Sequence, residues 1–256
     1  LQEIPLVPPG TGTLTVAWLT DVGCVRKNNE DAQGIFPGHE SPKGSLIVLA
    51  DGMGGAAAGE VASQLAVETV GRSYYAEPSS SPGDSLRAAI EAANAAIYGR
   101  AAEDPKLGGM GTTCTAIAVV GREIWYGHVG DSRAYVVAGQ TMTQITRDHS
   151  LAAEYERTGG EGGAPARARN VLTRCLGVKP EVKVDVPEEP IRLEDDGVIV
   201  TCSDGLSNQV DDGEIFHVVS MHLPDGACKR LVQLAKERGG PDNITVQVAR
   251  LSVAGV

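Results

Sequence analysis

The sequence predicts an α+β protein built from stacked β-sheets flanked by pairs of helices, and three observations carry that prediction. The chain has 256 residues, 42% of them hydrophobic and 21% charged, enough apolar material to bury one sizeable core within a single domain. Segments with strand character fall in clusters instead of alternating strictly with helices, which disfavours a doubly wound parallel sheet. Two short runs, Leu46-Ile47-Val48-Leu49-Ala50 and Val198-Ile199-Val200-Thr201-Cys202, are almost continuously apolar and rich in branched side chains, as strands covered on both faces are.

Along the chain, residues 1–12 carry Pro5, Pro8, Pro9 and Gly10 and are expected to form a flexible lead-in, with structure beginning near Leu14. Strands are predicted over 13–19 and 46–50. Helices follow over 59–74 and 85–102; in the second, Leu86, Ile90, Ala93 and Ile97 recur along one stripe at helical spacing. Further strands are predicted over 112–120, 123–129 and 133–137. Between Arg147 and Arg174 the pattern breaks down into a Gly-rich stretch followed by Arg167, Arg169 and Arg174. It reads as a mobile surface loop, and guanidinium groups on such a loop also suit covering an anionic substrate. After the strand over 198–202, a short helix holds His217 and a longer one covers 226–238, with Leu231, Leu234 and Ala235 on one stripe. In the last strand, over 244–251, Thr245, Gln247 and Ala249 alternate with Val246 and Val248. No repeat or linker divides residues 13–256, so one domain is expected.

Charge and composition exclude several functions. With 22 Lys and Arg against 33 Asp and Glu the net charge is −11, and a pI near 4.9 argues against a surface for nucleic acid or anionic lipid. Aromatic residues are only 4%, too few for a base-stacking platform. The five cysteines, Cys24, Cys114, Cys175, Cys202 and Cys228, are odd in number and form no CxxC pair, which suits a reducing compartment better than a disulfide framework or zinc knuckle. No apolar stretch approaches the roughly 18 residues of a membrane span. The chain starts at Leu1 instead of Met, so a piece of a longer or membrane-anchored protein is an open expectation.

Asp-Gly occurs five times, at Asp51, Asp196, Asp204, Asp212 and Asp225, and alone it is ordinary turn chemistry. Position separates Asp51 and Asp204, which end the two most buried-looking strands. Each could be a turn or helix cap. Together with Asn29-Glu30-Asp31 and Asp242-Asn243 they supply carboxylates from different segments, as a hard divalent cation requires.

These residues fall into ordered blocks. They are the stretch from Thr20 through Arg26 to Asp31, Asp51-Gly52-Met53-Gly54-Gly55, Gly111-Thr112-Thr113, Gly130-Asp131-Ser132-Arg133, Ser203-Asp204-Gly205 and Asp242-Asn243-Ile244-Thr245-Val246. In this order, over almost the whole chain, the sequence resembles the metal-dependent protein phosphatases (PPM, type 2C), bacterial serine/threonine branch. The resemblance implies two mainly antiparallel sheets flanked by pairs of antiparallel helices in an α-β-β-α sandwich, with a flap near 151–173. It implies two Mn²⁺ or Mg²⁺ ions. Asp51 would bridge them, the Gly52 carbonyl would bind the first, Asp204 and Asp242 the second, and Asp31 would hold metal-bound water near Glu30. Asp131, with Asp204, would hold a weaker third ion; a plain turn is its other reading. Arg26 would grip the phosphate, a bidentate task for which Lys27 is poorly suited; otherwise it is a solvated surface arginine.

The implied reaction is hydrolysis of phosphoserine and phosphothreonine by a hydroxide bridging the ions, without a phosphoenzyme. Phosphoproteins, a serine/threonine kinase among them, are the implied partners of a monomeric, cytoplasmic protein or cytoplasmic domain. Alternatives are a pseudophosphatase that binds phosphoproteins without turnover and a two-metal hydrolase of small phosphate esters. Two departures stand out. Met53 occupies the place of the eukaryotic branch's proposed acid histidine, and residues 159–168 lack the acidic helix and His-Pro pair usual before Arg-Asn in bacterial flaps. His39, His128, His217 and His222 are expected to be structural or surface residues, and no chemistry is assigned to His149. Cys202 lies near enough to Asp204 for oxidation sensitivity to be considered.

Overall fold

The computed structural model describes residues 2–6, 12–38, 41–54, 58–79, 81–159, 168 and 171–252. Its elements run β1 (Gln2–Pro5), β2 (Thr13–Asp21), β3 (Asp31–Phe36), β4 (Ser45–Met53), α1 (Ala58–Ala76), α2 (Pro82–Glu103), β5 (Gly111–Thr112), β6 (Cys114–Val120), β7 (Glu123–Val129), β8 (Arg133–Ala138) and β9 (Thr141–Gln144). They continue with α3 (Leu151–Arg157), β10 (Ile191–Arg192), β11 (Val198–Cys202), α4 (Asp204–Ser207), α5 (Asp212–Met221), α6 (Pro224–Glu237) and β12 (Ile244–Ser252). One sheet has the order β1-β2-β12-β11-β8-β9 and the other β10-β7-β6-β4-β3, with β5 on the end of β4. Every pairing is antiparallel. The expected α-β-β-α sandwich is the observed fold.

Strand periodicity builds its layers. On β4, Leu46, Val48 and Ala50 face α1 and α2 in one apolar layer, whereas Ile47 points between the sheets with Val16, Ile117, Ile199 and Leu251. On β12, Ile244, Val246 and Val248 meet α5 and α6, so Thr245, Gln247 and Ala249 turn inward, as alternation requires. The inward face is polar without being wet. Gln247 is buried and donates to Gln33 and the Val48 carbonyl while accepting from Thr201. The inter-sheet layer is therefore apolar at the Leu251 end and hydrogen-bonded at the Thr245 end, where the aspartates collect.

Three expectations are corrected. The lead-in over 1–12 is structured at its start: Gln2–Pro5 pairs with β2, and Ile4 and Leu6 are buried. Pro5 has no N–H to give, and an edge strand tolerates it because no neighbour on its outer side needs that donor. The strand over 112–120 is interrupted at Thr113, which serves Asp51 instead of the ladder. The irregular stretch after Arg147 begins with a helix, α3, whose N-terminal Ala153 N–H is capped by Ser150; seven residues are too few to show a helical period. Leu1, His39, Gly55 and, within the stretch expected to form a flap, residues 160–167, Arg169 and Asn170 lie outside the described residues.

α1 ends without a basic residue in its last turn, and Lys43 substitutes from the loop between β3 and β4. Its buried ammonium donates to the Tyr74 and Glu77 carbonyls beside the Tyr74 ring, while Tyr74 returns a bond to the Lys43 carbonyl. A cation at the negative end of a helix is favourable. Lys43→Met should lower the unfolding free energy by about 1.5–3 kcal/mol, the range for hydrogen bonds to a charged group. Urea titration checks this, and an unshifted midpoint would refute it.

Candidate metal centre and active site

The five predicted aspartates meet at one end of the sandwich because each stands where a strand enters or leaves it. Asp31 opens β3 and Asp51 lies near the end of β4, directly opposite each other in register. Asp204 follows β11, Asp131 sits in the turn between β7 and β8, and Asp242 precedes β12. A cleft of about 610 Å³ is lined by Asp51, Gly52, Asp131, Asp204, Asp242 and Arg26. A second cavity of about 290 Å³ shares Asp131 and Asp204 and extends toward Arg133 and Asp148.

Neutral hydrogen-bonding side chains hold the carboxylates. Asp31 Oδ2 accepts from Ser203 Oγ at 2.9 Å and Thr245 Oγ1 at 2.6 Å, while its Oδ1 is buried with no partner. Asp51 is fixed through its backbone: its N–H donates to Thr113 Oγ1, and its carbonyl accepts from Thr113 N–H and Thr112 Oγ1, each at 2.9 Å. Gly52 must be glycine, since a Cβ there would lie 2.2 Å from the Gly59 carbonyl oxygen and 2.5 Å from that of Glu30. Gly54 has φ +138°, which L side chains rarely adopt. Asn243 stitches the arginine loop to β12: its Oδ1 accepts from Glu30 N–H, and its Nδ2 donates to the Val22 and Asn28 carbonyls.

Opposed like charges are destabilising in a ladder, and the acidity of the group shows it. Burial, then the neighbouring Asp204 and Asp242, push Asp31 up to about 6 despite its two hydroxyl donors. Burial, Asp31 and Asp204 raise Asp51 well above the ordinary carboxylate range. Burial and Asp242 raise Asp204, and burial, Asp204 and Asp148 carry Asp131 to about 7. Arg26 donates to Asp242 Oδ2 at 2.8 Å, and Arg133 neutralises Asp148 through three contacts of 2.8–3.1 Å. No salt bridge is formed by Asp31, Asp51, Asp131 or Asp204 among the described residues.

This donor set fits a hard divalent cation. It is all oxygen, carries an orphaned carboxylate atom, and comes from separate segments, as Mg²⁺- and Mn²⁺-type sites do when water completes the shell. Among the described residues no three His, Cys, Asp or Glu side chains close into a ready-made metal cage.

A family model described as protein phosphatase 2C matches residues 25–236. The chain belongs to the protein phosphatase 2C family. It is 38% identical over 242 residues to the serine/threonine protein phosphatase PstP of Mycobacterium tuberculosis, covering 93% of this chain but 45% of that protein. The serine/threonine phosphatase stp of Listeria innocua is 34% identical over 235 residues, 89% of this chain and 92% of that one. The crystal structure of the PstP catalytic domain in complex with two manganese ions superposes with a TM-score of 0.79 at 36% identity, over 93% of this chain and 98% of that one. The chain thus spans under half of PstP and nearly all of stp.

Within this family member, sequence reasoning found the carboxylates and missed their supports. Thr113, Ser203, Thr245 and Asn243 stood in the recognised blocks without assigned roles, because a hydroxyl's partner is settled only by pairing across distant strands. Cys202 and Cys114 are fully buried, and burial pushes both thiols up to about 12, the opposite of the exposed, low-pKa environment that makes a cysteine readily oxidised.

Proposed function

We propose that this protein is a metal-dependent serine/threonine protein phosphatase whose site binds Mn²⁺ or Mg²⁺. The observation that carries the reading is the convergence of Asp51, Asp131, Asp204 and Asp242 beside Arg26 in one cleft of a protein phosphatase 2C fold, with Asp31 paired to Asp51 directly behind it. Asp51 with the Gly52 carbonyl, and Asp204 with Asp242, hold two core ions; Asp31 orients water; and Asp131 with Asp204 holds a weaker third ion. When bound, such ions bring water's pKa toward neutrality and neutralise charge on the reacting phosphate. Arg26 leaves Asp242 to clamp the phosphate through its planar fork. Met53 lines the cleft and has no proton to give, so the leaving oxygen takes its proton from another group. Phosphoproteins, including a kinase, are the partners of a cytoplasmic, monomeric domain. Among the described residues no helix is long and apolar enough to cross a membrane.

The test is hydrolysis of a phosphothreonine peptide. Activity should require Mn²⁺ or Mg²⁺, vanish with EDTA and survive alkylation of the exposed Cys24. Full turnover after exhaustive chelation overturns the reading, and a preference for nucleotides over the peptide would reassign the substrate. Arg26→Ala should act mainly on KM, with kcat/KM falling roughly 10- to 150-fold, the kinetic equivalent of about 1.5–3 kcal/mol for a charged hydrogen bond. Arg26→Lys should recover part of this. Wild-type kcat/KM in Arg26→Ala would leave the phosphate to the metals alone.

A further inference from the structure

We propose that His128 and His149 form a clamp on the Gly130 peptide that positions Asp131 for its ion. The proposal rests on the reading of Asp131 as a ligand of the weaker third ion, and it gives a role to two histidines outside the metal-binding carboxylates.

Both rings are buried, with centroids 4.9 Å apart, and both reach the residue immediately before Asp131. Gly130 N–H donates to His149 Nδ1 at 3.0 Å. The Gly130 carbonyl accepts from His149 N–H at 2.7 Å and from His128 Nε2 at 3.0 Å. The hydrogen bonds fix the tautomers. A backbone N–H can only donate, so His149 Nδ1 is unprotonated, and the ring's proton sits on Nε2, which donates to Asp185 Oδ2 at 3.0 Å. His128 Nε2 faces two carbonyls, those of Gly130 and Arg147, and must carry hydrogen; its Nδ1 accepts from Thr115 Oγ1 at 2.9 Å. Burial and the neighbouring His149 push His128 down to about 3, in keeping with a neutral ring.

The outer end of this chain is anchored. Asp185 accepts from Arg174 at 2.6 Å and exchanges two backbone hydrogen bonds with His128, so the carboxylate that orients His149 belongs to the same frame. On the other side of Asp131, Ser132 Oγ is 2.8 Å from Thr113 Oγ1, the atom that accepts from Asp51 N–H. Gly130 itself has φ +117°, and a Cβ would lie 2.5 Å from the Thr113 side chain. Asp131 is therefore bracketed by two pinned backbone positions, one set by neutral imidazoles and the other tied to Asp51. Asp131 lines the cleft between neighbours held by these hydrogen bonds, and partners of this kind govern metal affinity through the ligand they orient.

The test is Mn²⁺ titration of the full chain by calorimetry and electron paramagnetic resonance, with thermal unfolding in EDTA measured in parallel. Asp131→Ala defines the ion that depends on Asp131. His149→Ala should weaken that ion about 10- to 100-fold, the usual loss for removing a residue that orients a ligand, and leave the tighter ions unchanged. His149→Asn, whose amide oxygen can replace Nδ1 as acceptor for Gly130 N–H, should restore it. If His149→Ala does not fold, Asp185→Ala, which keeps the ring and removes its orienting carboxylate, should show an intermediate loss. Loss of the ion in Asp131→Ala with wild-type affinity in His149→Ala, or in Asp185→Ala where that variant stands in, overturns the clamp alone. Asn no better than Ala at position 149 also overturns it. Retention of every ion in Asp131→Ala overturns both the clamp and the reading beneath it.

Discussion

Asp51→Ala should lose both tightly bound divalent ions and lower kcat/KM on a phosphothreonine peptide about a thousandfold or more, since the ions are asked to supply several kcal/mol of transition-state stabilisation. No other side chain can take its place. Asp31 lies opposite it in register but is tied to Ser203 and Thr245, Asp242 is reached by Arg26, and Asp204 begins a helix on another segment. Asp131→Ala should leave the two tight ions in place. Counting bound Mn²⁺ by calorimetry distinguishes the variants, and equal losses would show that Asp51 does not bridge.

The metal-free protein should become less stable as pH rises from about 4 to about 7, and Mn²⁺ should reverse the effect. Asp31 and Asp131 ionise in the fold at about 6 and about 7, above their ordinary 3.8. The folded chain therefore keeps protons that the unfolded chain has already released, and stability falls through that window. Each unit of separation corresponds to about 1.36 kcal/mol per group, so for these two groups together the loss across this window is on the order of 6 kcal/mol. A cation replaces the protons as counter-charge, so the rise in melting temperature on adding Mn²⁺ should be larger at about pH 7.5 than at about pH 5. An equal rise at both, or metal-free stability that increases with pH, would mean the carboxylates do not share one field.

How far the sequence was legible follows from the range of each signal. β7 and β11 were bounded correctly because branched apolar residues fill them and turn residues flank them. β3 was missed: Gln33 and Gly34 interrupt its pattern, and its place in the sheet depends on β4. β1 hid behind its prolines. In the site, the resemblance carried by six ordered blocks delivered the five aspartates and Arg26; residue chemistry alone left Arg26 a surface arginine and Asp131 a turn. The ion pair of Arg26 with Asp242, 216 positions apart, and the bond of His149 to Gly130, 19 apart, were invisible because each depends on how the strands pair, and the orphaned oxygen of Asp31 shows only once the fold has buried it.

The strand Gln2–Pro5 also acts as a shield. It pairs along Thr13–Val16 and places Ile4 in the layer between the sheets, and Leu6 packs there just beyond it. A chain shortened to begin at Thr13 would bare a row of N–H and C=O groups on β2 and open an apolar slot beneath them. Bare edges of this kind recruit strands from other molecules. The shortened protein would keep all five clustered aspartates, yet its hazard would be self-association in solution.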